Sequence, residues 1–155
     1  MQKIKIVCIG TIKDKFYIDA ISEYKKRLQR FCDFEIEELP EFLPSSRVSD
    51  CQIKDKEGEE ILKHLSGFII VLDLKGKEIS SEDLAGVIKE RSVFSDSKVT
   101  FVIGGSLGLS DEVLKKANLT IRVGKMTFPH QLMRVMLTEQ IYRAETINNN
   151  VKYHK

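Results

Sequence analysis

Short apolar runs recur along the chain and alternate with longer stretches of helical period, which is the signature of an α/β domain built on a parallel sheet. The runs predict strands at Ile4–Gly10, Phe34–Leu39, Phe68–Asp73, Lys98–Ile103 and Leu119–Val123. Between the first two, Ile18, Ile21, Tyr24, Leu28 and Phe31 fall on one stripe and predict a helix over Phe16–Phe31. Ile53, Ile61, Leu62 and Leu65 do the same for Asp50–Leu65, although Gly58 weakens that segment. Ser80 followed by early acids predicts a third helix through Leu84, Val87 and Ile88, and Ser110-Asp111-Glu112 a short fourth. Pro129 suits the first turn of a fifth helix running to about Ile147. The expected architecture is a mostly parallel sheet of five to six strands flanked by helices.

The last of these helices differs from the rest. Leu132, Met133, Val135, Met136 and Leu137 make it apolar around most of its circumference, so it requires cover on more than one side. Either it is an ordinary central core helix, or its outer face meets a second copy of the chain as a two-fold homodimer.

At 155 residues and 42% hydrophobic, the chain fits one domain over residues 1–155 with a single sizeable core. An N-terminal strand pattern and the absence of a membrane-length apolar run point to a cytoplasmic protein. Cys8, Cys32 and Cys51 lie in or beside apolar runs without paired spacing and read as reduced, mostly buried thiols. His64, His130 and His154 are too dispersed for a metal site, and none is expected. Charge is uneven: from Arg122 onward six basic side chains face two carboxylates, a net +4, while the remainder sums to −2. A basic segment on a slightly acidic body points to a localised anionic ligand.

The candidate chemistry lies in that last third. Gly104-Gly105-Ser106-Leu107-Gly108-Leu109-Ser110 follows a predicted strand and precedes a predicted helix, where backbone can approach a ligand closely; a tight strand-to-helix turn would carry the same letters. Leu72, Gly104 and Gly124 stand at three strand ends that belong on the carboxyl edge of a parallel sheet, the usual ligand edge, with Asp73 either a ligand contact or a solvated turn acid. Lys125–Phe128 carries side chains too large for a mere connection and implies a buried, functional loop. Glu139 and Arg143 have the spacing of a helical ion pair, and His130 at the helix start suits a structural imidazole. The terminal Tyr153-His154-Lys155 offers a stacking ring, a group titrating near neutrality and a cation, a set suited to RNA.

Taken together, FVIGGSLGLS (101–110), KMTFPHQLMRVMLTEQIYRA (125–144) and the terminal YHK resemble the RlmH family of large-subunit ribosomal RNA pseudouridine-N3 methyltransferases, of the SPOUT class. The likeness extends through the opening IKIVCIGTIKDKF, KEGEEIL and VLDLKGK. It implies a C-terminal trefoil knot, a homodimer, and S-adenosylmethionine held by Leu72, Gly104, Val123, Gly124, Lys125, Met126, Thr127 and Phe128. The implied substrate is a pseudouridine in helix 69 of 23S rRNA on the assembled 70S ribosome.

Residue chemistry then assigns expected roles. Removing an imide proton calls for a base or for cations that stabilise the anion. His154 is the first candidate base or orienter and Glu139 the second; Arg143 and Arg134 would stabilise charge or grip phosphate. Tyr153, His154, Lys155 and Arg134 are the expected RNA contacts, and the short tail could complete a neighbouring subunit's pocket. Two other readings remain: a SPOUT methyltransferase acting on transfer RNA, and a non-enzymatic RNA- or nucleotide-binding module of ribosome assembly.

Overall fold

Along β1 (Lys3–Ile9), Ile4, Ile6 and Cys8 turn to one face while Val7 and Ile9 turn to the other, and all five are buried. A strand apolar on both faces belongs inside a sheet covered on both sides. The computed structural model, which describes residues Met1–Lys155, places it there. All five predicted strands form, all neighbouring pairs are parallel, and the order is β2-β1-β4-β3-β5, with β2 at Asp33–Leu39, β3 at Phe68–Glu78, β4 at Lys98–Ile103 and β5 at Leu119–Arg122. There is no sixth strand.

Helices α1 (Lys15–Leu28), α3 (Ser81–Ser92) and α5 (His130–Asn148) cover one face, packing Leu28, Leu84, Ile88, Leu137 and Ile141 onto Ile6, Ile70 and Phe101. Helices α2 (Asp50–Leu62) and α4 (Asp111–Lys115) cover the other, with Ile61 and Val113 against Val7, Val71 and Val102. The serine caps form as expected: Ser80 Oγ accepts from the Asp83 N–H at 3.0 Å and Ser110 Oγ from the Val113 N–H at 3.4 Å. A third, Ser49, makes a full capping box with Gln52 at the start of α2. No helix is long and apolar enough to cross a membrane, and no cluster of three potential metal ligands occurs.

Helix α5 is contacted by both α1 and α3, yet of its apolar girdle only Leu137 is buried, while Leu132, Met133, Val135 and Met136 stay half-buried within one chain. Two expectations need correction. The thiols are not all hidden: Cys8 and Cys32 are buried and burial pushes both up to about 12, whereas Cys51, in the first turn of α2, is exposed. Strand β3 runs well past Asp73. It breaks register between Leu72 and Lys77 and then pairs Lys77 and Glu78 with Ile121 and Arg122. Gly76 makes that possible, because a Cβ there would come within 2.5 Å of the Ile121 carbonyl carbon.

Candidate active site

The strand order sets the ends of β4, β3 and β5 side by side, so the three loops that leave them meet on the carboxyl edge of the sheet. They enclose a cavity of about 420 Å³, within the range of ligand pockets. Leu72, Gly104, Val123, Gly124, Met126, Thr127 and Phe128 all line it; Lys125, between them, does not and is exposed. With Met126 74% exposed and Thr127 exposed too, the 125–128 loop is not the buried one expected, because it forms the open rim of the cavity. The walls also include Ile103, Leu109 and Met133, so apolar surface dominates.

Backbone supplies much of the remaining wall. Gly105 and Gly108 close a tight turn through the Gly108 N–H to Gly105 carbonyl bond of 3.0 Å, with Gly108 at φ +84°, a left-handed conformation suited to glycine. A Cβ on Gly108 or on Gly124 would meet no protein atom within 4 Å, so at both positions the backbone is left open beside the cavity. Gly104 is different: its Cβ would come within 3.0 Å of Gly108, against its own turn. The cavity's ionisable lining is short: Asp73, Lys75, Arg122 and His130. Asp73 folds back to accept the Lys75 N–H at 3.0 Å, and Arg122 pairs with Glu78 at 3.4 Å while its Nε is buried without a partner. A mostly apolar chamber with a few opposed charges and open backbone suits a small molecule that carries both apolar surface and charge.

The sequence singled out Asp73 and His130 only in passing and missed Lys75, Arg122 and Met133. Their signal is positional, since each directly follows or faces a strand end that already carried a candidate.

The proposed chemical residues gather elsewhere. Arg143 forks onto Glu139 Oε1, from Nε at 3.1 Å and Nη2 at 2.7 Å, and the same oxygen accepts the Tyr153 hydroxyl at 3.0 Å. Arg143 Nη1 meets His154 Nδ1 at 3.2 Å, and His154 Nε2 meets Glu82 Oε1 at 2.6 Å. A neutral imidazole carrying its proton on Nε2 satisfies both contacts, accepting from Arg143 and donating to Glu82. Tyr153 also lies edge-on to Tyr142 at 4.7 Å and beneath the Arg143 guanidinium at 4.8 Å. Burial, then hydrogen bonds to Tyr24 and Glu139, raise the Tyr153 phenol above its ordinary range; the His154 contact lowers Glu82. The tail is therefore docked rather than frayed, with Lys155 exposed at its end.

None of Glu139, Arg143, Tyr153 or His154 lines the cavity of its own chain. Helix α5 carries Met133 at the cavity and Arg143 ten residues on, which at 1.5 Å per residue is about 15 Å away.

Arg134 belongs to neither group. It is 2% exposed, donates from Nη1 to Glu38 Oε2 at 2.7 Å and from Nη2 to the carbonyls of Ile9 and Gly10 at 3.2 Å each. Glu38 Oε2 in turn accepts the Ile12 N–H at 2.7 Å. Arg134 thus clamps the end of β1 and the loop after it and has no free surface for phosphate, which corrects its expected place among the RNA contacts.

Residues 2–154 match the family described as predicted SPOUT methyltransferase. The chain is 48% identical to ribosomal RNA large subunit methyltransferase H of Bifidobacterium animalis subsp. lactis over 99% of this chain and 100% of that one. It is 50% identical to the protein named ribosomal RNA large subunit methyltransferase H 1 of Clostridium perfringens, with the same coverage. Among solved structures, a probable methyltransferase from Bordetella pertussis Tohama I superposes with a TM-score of 0.62 at 11% identity, over 93% of this chain and 95% of that one. That likeness speaks for the fold.

Proposed function

Because the chain belongs to the SPOUT methyltransferase family, and within it to the ribosomal RNA large subunit methyltransferase H group, we propose that it methylates N3 of a pseudouridine in helix 69 of 23S rRNA on the assembled 70S ribosome. It would work in the cytoplasm as one SPOUT domain over residues 1–155, with the C-terminal part of the chain threaded as a trefoil knot. The observation that carries the reading is the cavity where the ends of β4, β3 and β5 meet, walled by the 123–128 loop and open backbone.

The cavity residues fit S-adenosylmethionine, which when bound supplies the methyl group on a good leaving group. Leu72, Ile103, Leu109 and Phe128 would enclose its adenosyl portion, the open backbone at Gly108 and Gly124 would admit close approach, and Asp73 and Lys75 would face its amino acid charges. As N3 forms its bond to the methyl carbon it must lose its proton, and a positioned base or cation lowers the cost of the anion.

By the helical rise Glu139 lies about 9 Å and Arg143 about 15 Å along α5 from Met133 at the cavity, and none of Glu139, Arg143, Tyr153 or His154 lines the cavity of its own chain, so we assign these residues, with Lys155, to the cavity of a second subunit in a homodimer. There His154 would accept or orient the proton, Arg143 would stabilise the anion and Tyr153 would stack on RNA. His154 must first exchange its contacts with Arg143 and Glu82 for contacts with RNA.

Nucleoside mass spectrometry of 23S rRNA from cells with and without the protein tests the activity, with loss of N3-methylpseudouridine expected on deletion. Unchanged methylation would refute it. Mixing a His154→Ala subunit with a cavity-blocked Gly124→Trp subunit tests the shared site: activity returns if the tail acts across the dimer and stays lost if each subunit is self-sufficient.

A further inference from the structure

Glu57 is an acidic side chain in the middle of α2 and yet only 4% exposed. A carboxyl group hidden to that degree costs stability unless something in the fold uses it. Its Oε2 accepts the Phe42 N–H at 3.3 Å, in the long loop that follows β2. On its other side lies Gly105, in the turn that follows β4 and lines the cavity. A Cβ on Gly105 would come within 2.9 Å of Oε1, 3.4 Å of Oε2 and 3.4 Å of Ile9 Cγ2. Strands β2 and β4 flank β1, so this one carboxyl bridges the loops of two strands across the end of the strand between them.

The next residue repeats the arrangement. Gly58 is buried, and a Cβ on it would collide with Ser110 Oγ, the N-cap of α4 at the far end of the same turn. Glu57 and Gly58 therefore form a platform beneath both ends of the Gly105–Ser110 segment. This also explains why a helix tolerates glycine mid-length: closeness to the turn outweighs a propensity cost of about 1 kcal/mol.

We propose that Glu57 is a positioning residue for the cofactor cavity. Its carboxyl sets the height of the Gly105–Gly108 turn, and with it the backbone wall facing the ligand, while anchoring the 40–49 loop to the same point. Burial holds this carboxyl above the ordinary carboxylate range, against the pull of the Phe42 N–H, in keeping with a group enclosed by the two loops.

The inference rests on the proposed function in taking S-adenosylmethionine as the probe, and calorimetry on the full chain separates the two. Wild-type protein that binds no S-adenosylmethionine overturns the functional reading and this proposal with it; wild-type binding with an unaltered Glu57→Ala constant overturns this proposal alone. The expected result for Glu57→Ala is a dissociation constant raised about tenfold, the scale of one buried hydrogen bond lost from a site, with KM for the cofactor rising in step and kcat at saturation little changed. Glu57→Gln, which keeps the shape and an acceptor for Phe42, should restore most of the affinity. A lowered melting point with an unchanged constant would mean Glu57 serves only the fold. Should Glu57→Ala not fold, Gly105→Ala pushes on the same carboxyl from the other side; it must weaken S-adenosylmethionine binding in the wild-type background, and an unchanged constant overturns the proposal.

Discussion

Replacing Arg134 with methionine keeps most of the side-chain volume while removing the guanidinium from its buried seat. Three hydrogen bonds go with it: the ion pair to Glu38 and the bonds to the carbonyls of Ile9 and Gly10. Glu38 is 36% exposed and keeps its bond from the Ile12 N–H, so water and that amide recover part of the loss there. The two carbonyls lose a charged donor worth about 1.5–3 kcal/mol per bond, and the variant regains some of that by no longer desolvating a cation. The net expectation is a loss of about 3 kcal/mol, which in a domain of this size lowers the melting midpoint by about 6–12 °C. Urea unfolding followed by circular dichroism measures it, with the m-value held as a check on the native baseline. A loss under about 1 kcal/mol, the usual range for surface changes, together with abolished ribosome binding, would refute the reasoning and return Arg134 to the RNA surface.

Gly76→Ala forces a methyl against the Ile121 backbone and should separate β3 from β5 and lower the melting midpoint, whereas Gly86→Ala, inside α3 with nothing within 4 Å of its Cβ, should leave it unchanged or raise it; paired thermal melts decide it. Glu145, 5% exposed, is raised from 4.5 to about 7 by burial, so the folded chain holds its proton more tightly than the unfolded chain. Stability should therefore fall as pH rises from about 4.5 to 7, and Glu145→Gln should flatten that part of the profile in urea titrations at successive pH values. In the native protein a thiol reagent should modify one cysteine quickly, Cys51, and the other two only on unfolding; rapid reaction of all three would contradict the burial of Cys8 and Cys32.

The strands were legible because a sheet covered on both faces leaves unbroken apolar runs such as Ile6–Ile9 and Phe68–Leu72. The caps at Ser80 and Ser110 were legible because their partners are three residues away. The extension of β3 was hidden: Leu74-Lys75-Gly76-Lys77 reads as a turn, and only the approach of Ile121 makes it strand. Arg134 and Glu57 were hidden for a related reason. Charged residues on helices read as surface, and nothing local reveals that one lies over the end of β1 and the other under a turn from β4. The three strand ends of the cavity could be listed from sequence, and their adjacency follows from strand order. The position of the tail is a tertiary fact that spacing along the chain does not carry.

The sheet order also has a consequence for a chain emerging from its N-terminus. Strands β1 and β2 can pair early, but the other edge of β1 waits for β4, with Lys3 opposite Lys98, and β3 has no neighbour at all until β4 and β5 arrive. For most of synthesis, then, two apolar strands present bare edges, and the last 60 or so residues must supply the wedge that joins them. A nascent chain of this protein stays sticky until β4 and β5 have both emerged, and its core closes late.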